Sequence, residues 1–149
     1  MTTEQRTIEF HQAFSHPVRD TPQTLCRTEA ILALKLIEEE YHELCEALFP
    51  GSTDLLDSPA SNIEDGRAPY EPNLIEVADA LADLDVVING AGIRHGFDMQ
   101  ALSHEVFSSN MSKLDADGKP LYRDDGKIAK SSLFREPDIA GALGIKVAA

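Results

Sequence analysis

The chain has 149 residues, a formal net charge of −13, two cysteines and no tryptophan. That length supports a single domain, 1–149, with a proper core, and the scarcity of aromatics (6%) favours helix packing over a β-sandwich. The acid excess argues against a nucleic-acid polymer as partner, which calls for a basic stripe, and no apolar run approaches the roughly 20 residues that span a bilayer. Met1-Thr2-Thr3-Glu4-Gln5-Arg6 lacks the charged-then-apolar plan of a signal peptide. Cys26 and Cys45 form no CxxC pair, so a reducing cytoplasm is the expected setting.

In chain order, Thr3 to Phe14 predicts a short helix, ended by Ser15-His16-Pro17, and Asp20-Thr21-Pro22 a turn. Thr24 to Leu48 predicts a long helix with Leu34, Ile37, Tyr41, Leu44 and Leu48 as its apolar stripe. Pro50-Gly51 stops it. Gly51 to Pro72 reads as a loop with a helical turn near Asn62-Ile63-Glu64, long enough to suggest function or mobility. Asn73 to His95 predicts a second long helix with Val77, Leu81, Leu84 and Ile88 as its stripe, closed by Gly96. Asp98 caps a further helix to Lys113. Asp117-Gly118 and Asp125-Gly126 bracket Leu121-Tyr122 in a small hairpin or ordered loop, and Pro137 to Leu143 predicts a last short helix. The expected fold is therefore all-α: a bundle of three to five helices with an irregular or hairpin C-terminal segment.

The chemistry concentrates in two acidic clusters on the long helices. Glu40 and Glu43 are i,i+3 neighbours, Glu39 and Glu43 are i,i+4, and Glu76, Asp79 and Asp83 follow at i, i+3 and i+7. Each set shares one helix face, where like charges repel by a few tenths of a kcal/mol per exposed pair. A lone EExxE is usually a solvated face. The second cluster, however, is set among Ile75, Val77, Ala78, Ala80, Leu81, Ala82 and Leu84, with no basic residue from Asn73 to Ile93. That setting predicts a buried helix face, where carboxylates need a partner. With the two helices antiparallel, Glu40, Glu43, Glu76 and Asp79 form a four-carboxylate cage of the kind bundles use for metals. All-oxygen donors suit Mg²⁺ or Mn²⁺, and metals held this way commonly act on phosphates. Glu39 is the candidate to orient or deprotonate the attacking water, and Asp83 supports the metal or its ligands.

Residues 1–85 carry eighteen Asp/Glu against five Lys/Arg, whereas residues 86–149 carry eight of each. The later cations are candidates to meet an anionic ligand. Asn110 and Lys113, at i,i+3, form the best pair, followed by Lys127 and Lys130. The five histidines show no metal-ligand spacing, so a zinc reading of His42 inside EExxE is set aside. Phe10, His11 and Phe14 fit either stacking on a base or docking on the core.

Glu39-Glu40-Tyr41-His42-Glu43 and Glu76-Val77-Ala78-Asp79, with Ser109-Asn110-Met111-Ser112-Lys113 and Asp125-Gly126-Lys127-Ile128-Ala129-Lys130 downstream, resemble the all-α nucleoside triphosphate pyrophosphohydrolases, MazG-like and all-α dUTPase-like. The resemblance covers roughly residues 25 to 138. It implies Mg²⁺-dependent hydrolysis of a (d)NTP such as dUTP to the monophosphate and pyrophosphate, by a homodimer or higher homo-oligomer. The 32 residues between Glu43 and Glu76 exceed the usual gap, which bears on base specificity more than on chemistry. Two alternatives are a phosphoribosyl-ATP pyrophosphohydrolase-like activity and a non-catalytic metal- or nucleotide-binding regulatory module.

Overall fold

The computed structural model describes residues 1–54 and 58–146, so positions 55–57 of the expected Gly51–Pro72 loop lie outside the described residues. Among those described, every regular element is helical: α1 Thr3–Ala13, α2 Arg27–Leu48, α3 Pro59–Glu64, α4 Leu74–His95, α5 Met99–Met111 and α6 Ile139–Ala142. The fold is all-α, as composition and periodicity predict. The chain forms two compact units, Met1–Gly96 and Phe97–Ala149.

In the first unit α2 and α4 pack on each other, and α1 packs on α4. Backbone hydrogen bonds at both ends make α2 and α4 antiparallel. Gln23 N–H, just ahead of α2, donates to His95 O at the end of α4 (2.9 Å). Asn73 N–H, just ahead of α4, donates to Ala47 O at the end of α2 (2.9 Å). This register sets Glu43 level with Glu76, and Glu40 level with Asp79.

Local chemistry fixes the helix ends. The Asn73 side chain accepts from the Ile75 and Glu76 amides to cap α4, satisfying donors that have no partner inside the helix. Helix α2 begins at Arg27, three residues later than periodicity suggests. There the Glu29 carboxylate receives the Cys26 N–H (3.4 Å) and pairs with Arg19 (2.8 Å), and that tether sets the start. At the far end of α4, Gly96 adopts a left-handed φ of 74°. A Cβ there would lie 2.2 Å from Thr21 O, so the turn that carries the chain into α2 closes only over glycine. Gly96→Ala is expected to cost at least about 1–3 kcal/mol, the range for non-glycine left-handed strain, plus the clash. The measurement is the urea midpoint, with an unchanged midpoint counting against it.

The apolar stripes differ from expectation. Leu34 is 68% exposed and Tyr41 39%, while Leu81 and Ile88 are also exposed. The buried positions are Ala33, Cys45 and Ala47 on α2, and Ala80, Asn89, Gly90, Gly92, Ile93 and Arg94 on α4. Small residues make up much of this buried set, and Gly90 faces Thr7 and His11 of α1. Several large side chains are left on the outside.

Described residues of the segment after α2 are held by side-chain hydrogen bonds. The Glu46 carboxylate accepts from Gly51 N–H (2.6 Å) and Thr53 Oγ1 (3.0 Å), which holds its pKa below the usual carboxylate value. The fully buried Asn62 on α3 donates to Ser52 O at 2.8 Å. These contacts return the chain to α2's end, where Asn73 starts α4.

In the second unit, Asp98 caps α5 through the Ala101 amide (2.8 Å), and α5 packs with α6. The expected hairpin reduces to one antiparallel bridge, Tyr122 with Ile128. It is framed by bonds from Arg123 N–H to Lys127 O and Ala129 N–H to Leu121 O, both 2.8 Å. Gly118 and Gly126 turn with φ of 73° and 78°. Arg135 anchors the C-terminal segment by pairing with Glu105 (2.5 Å) and donating to Ser108 Oγ (2.6 Å).

Candidate active site

Glu40 lies at the centre of the acidic region. It is half-buried on α2, and its Oε2 is buried with no hydrogen-bond partner among the described residues. Burial is the main cause that raises its pKa, and the nearby charges of Glu43, Asp83, Glu39 and Asp79 raise it further. Carboxylates from both long helices therefore act on a group whose Oε2 no described residue satisfies. A buried acceptor without a partner is costly. The donor set is all oxygen, which fits a hard divalent cation: Glu40 would bind it from inside, with Glu43 and Asp79 at the rim.

The remaining acids lie around this centre in graded fashion. Glu39, Glu43, Glu76, Asp79 and Asp83 are exposed. Glu76 faces the level of Glu43 by register and is not among the charges that act on Glu40. Among the described residues, no three His, Cys, Asp or Glu side chains are already drawn into one closed ligand cluster. Repulsion between like charges keeps them spread across the two helices.

The sequence predicts a buried setting for Glu76 and Asp79, yet both are exposed, and their neighbours Leu74 and Ile75 are 81% and 82% exposed. The first turns of α4 meet α2 along one side only, and Ala80 is the buried residue there. Water solvates these two carboxylates in the single chain. The orphaned Glu40 oxygen, rather than a lack of basic partners, is what a cation would satisfy here.

Beside the carboxylates, a cavity of about 450 Å³ runs along the same helix faces. Leu32, Ala33 and Leu36 of α2 and Val86, Val87 and Ala91 of α4 line it, between Glu40 and Asp83 on one side and Arg94 and His16 on the other. Its volume and apolar walls suit a small organic ligand. Phe10 of α1 borders it, stacked on His16 (centroids 6.2 Å, interplanar 20°). His11 is buried, bonded through Nδ1 to Pro17 O at 3.0 Å, and its desolvation pulls its pKa down. Gly90 gives it room, since a Cβ there would stand 3.1 Å from His11 Nε2. Within this segment His11 docks on the core, and Phe10 lines the cavity. Sequence reasoning missed Arg94. Its spacing from Asp83, i+11 or three helical turns, is the signal that places both on one face.

The cationic candidates belong to the second unit. Lys113 Nζ donates to Asn110 Oδ1 at 2.8 Å, so the two side chains are in contact. Lys127 is exposed. Lys130 is engaged locally, paired with Glu136 (2.9 Å) and 4.1 Å from the Phe134 ring centroid.

Antiparallel helices that set EExxE against ExxD in an all-α bundle are the arrangement expected of a hydrolase that opens phosphoric anhydrides in nucleotides. Comparison with protein families agrees, for the chain belongs to the phosphoribosyl-ATP pyrophosphohydrolase family, whose model matches residues 7–110. The match takes in both acidic clusters and ends at Asn110, before Lys113, Lys127 and Lys130. Membership makes the protein a hydrolase acting on phosphoric anhydrides, which sets aside the non-catalytic regulatory module. No curated protein matches the chain. No helix among the described residues is long and apolar enough to cross a membrane.

Proposed function

We propose that the protein is a Mg²⁺-dependent pyrophosphohydrolase, with Mn²⁺ able to substitute, that hydrolyses a nucleoside triphosphate such as dUTP to the monophosphate and pyrophosphate. The observation that carries this reading is the buried, unpartnered Glu40 Oε2 among Glu39, Glu43, Asp79 and Asp83. Glu40, Glu43, Glu76 and Asp79 would hold the metal, with Asp83 in support. When bound, the ion supplies charge neutralisation for the phosphates and acidifies the attacking water.

Glu39 takes the water proton as the oxygen bonds to the α-phosphorus. The bond to the bridging oxygen breaks, and pyrophosphate leaves with the electron pair. Asn110 and Lys113 are candidates to hold the phosphate chain, with Lys127 and Lys130 as weaker ones. The adjacent cavity receives the nucleoside end, its apolar walls covering the base. The family model favours a second substrate reading, phosphoribosyl-ATP, which carries the same scissile anhydride.

The test is hydrolysis of canonical and deoxy triphosphates and of phosphoribosyl-ATP with Mg²⁺, with products identified by ion-exchange chromatography. Monophosphate plus pyrophosphate is expected. Release of orthophosphate and a diphosphate, or inertness toward all of them, would reject the reading.

The exposed side chains Leu34, Leu74, Ile75, Leu81 and Ile88 make an apolar surface that a soluble monomer rarely leaves open. A two-fold homodimer, the commonest closed assembly, is the expected state in a cytoplasmic setting, with residues of both chains bordering the site. Light scattering of an active monomer at micromolar concentration would overturn it.

A further inference from the structure

Arg94 is 5% exposed and lines the cavity at the opposite side from Glu40. The polar contact of its guanidinium is with His16 Nδ1 at 3.4 Å, and no carboxylate pairs with it among the described residues. In a chain whose net charge is −13, a buried cation without an anion is out of pattern, because such charges are normally paired. Placement at the helix end does not explain it. Helical side chains lean toward the N-terminus, which turns Arg94 back toward the cavity and away from α4's last carbonyls. The neighbouring cavity walls, Leu32, Leu36, Val86 and Phe10, offer it no acceptor.

A guanidinium carries only donors, arranged as a planar fork. Its natural ligand is a group with one or more acceptors and no competing donor. Asp83 and Arg94 are eleven residues apart on α4, about 16 Å of helical rise, which the lean of Arg94 shortens. That separation places Arg94 a nucleoside's length from the carboxylates that would handle the triphosphate.

We propose that Arg94, supported by His16, is the specificity-determining residue of this site, binding the acceptor-bearing group at the end of the nucleotide remote from the scissile anhydride. The inference rests on the proposed activity and deepens it. The acceptor has two sources, a base carbonyl such as that of uracil or the far phosphate of phosphoribosyl-ATP. The walls favour the carbonyl, because apolar side chains suit a flat base better than a hydrated dianion.

The experiment compares wild type with Arg94→Gln and Arg94→Lys. Kinetics are measured on dUTP against dCTP, which replaces a carbonyl by an amino group, and on phosphoribosyl-ATP against ATP. The expected result is a KM raised roughly 10- to 100-fold in Arg94→Gln for the preferred substrate, the worth of a bidentate contact. kcat should change little, and Arg94→Lys should recover part of the loss. Loss of the dUTP-over-dCTP preference assigns the carbonyl; loss of the preference for phosphoribosyl-ATP over ATP assigns the phosphate. A folded Arg94→Gln enzyme with unchanged KM on every substrate overturns the proposal.

If wild type hydrolyses none of these nucleotides, the activity reading fails by itself. In that case, or if the variants do not fold, the His16 imidazole resonances of wild type are titrated with dUMP and with ribose 5-phosphate. Saturable shifts support the subsite, and silence with both overturns it.

Discussion

Glu39→Gln is expected to lower turnover roughly 10²–10⁴-fold, the usual worth of a general base, while nucleotide binding survives. The substitution keeps the shape and polarity of an exposed side chain and removes the basic oxygen. Because Glu39 is one of the charges that raise Glu40's pKa, neutralising it also relieves the site, so the variant should be no less stable than wild type. That combination separates a chemical role from a structural one. Steady-state kinetics beside calorimetric binding of a non-hydrolysable triphosphate provide the check. Near-normal turnover would show that the water is activated without this carboxylate.

Glu40→Gln should act in two opposite directions. Activity is expected to fall by at least about 10²-fold, a loss no smaller than that of a positioned acid–base group. Without metal, however, the variant should melt higher than wild type. The sign follows from the raised pKa. The folded state holds the Glu40 proton more tightly than the unfolded chain does, so stability falls as pH rises from the ordinary value of 4.5 through the raised one. Above the raised value the wild-type chain carries that unfavourable charge and the amide does not. Each kcal/mol of relief amounts to roughly 2–4 °C in Tm for a chain of this size. Mg²⁺ should stabilise the wild type, since a ligand of the native state does so by mass action, and should have little effect on the variant. Scanning calorimetry with and without Mg²⁺ reads both effects. A Glu40→Gln protein that still gains stability from Mg²⁺ would remove Glu40 from the ligand set.

Because Glu40 and Arg94 line one cavity, their substitutions should differ in kind. Loss of Glu40 affects turnover on every substrate, whereas loss of Arg94 affects the choice among substrates.

Much of the architecture is legible in the sequence because its signals are local. Helix type follows from i, i+3, i+4 periodicity and needs no tertiary partner. The caps Asn73, Asp98 and Gly96 act within a turn of the ends they close, so they stand where the sequence places them. The two acidic clusters are legible for the same reason: spacing alone puts their members on shared faces. Which face of a helix meets which neighbour is not local. Leu34 and Tyr41 have the right period for a core stripe, yet the residues buried on α2 are Ala33, Cys45 and Ala47. The antiparallel register of α2 and α4 was likewise decided by pairings across the fold, Gln23 with His95 and Asn73 with Ala47. Tertiary packing leaves Glu40 Oε2 a buried oxygen without a partner, and Arg94 a buried cation without an anion, among the described residues. Sequence alone determined that this chain carries clustered carboxylates on long helices. Tertiary packing decided which of them is desolvated, since burial depends on what the rest of the chain sets against it.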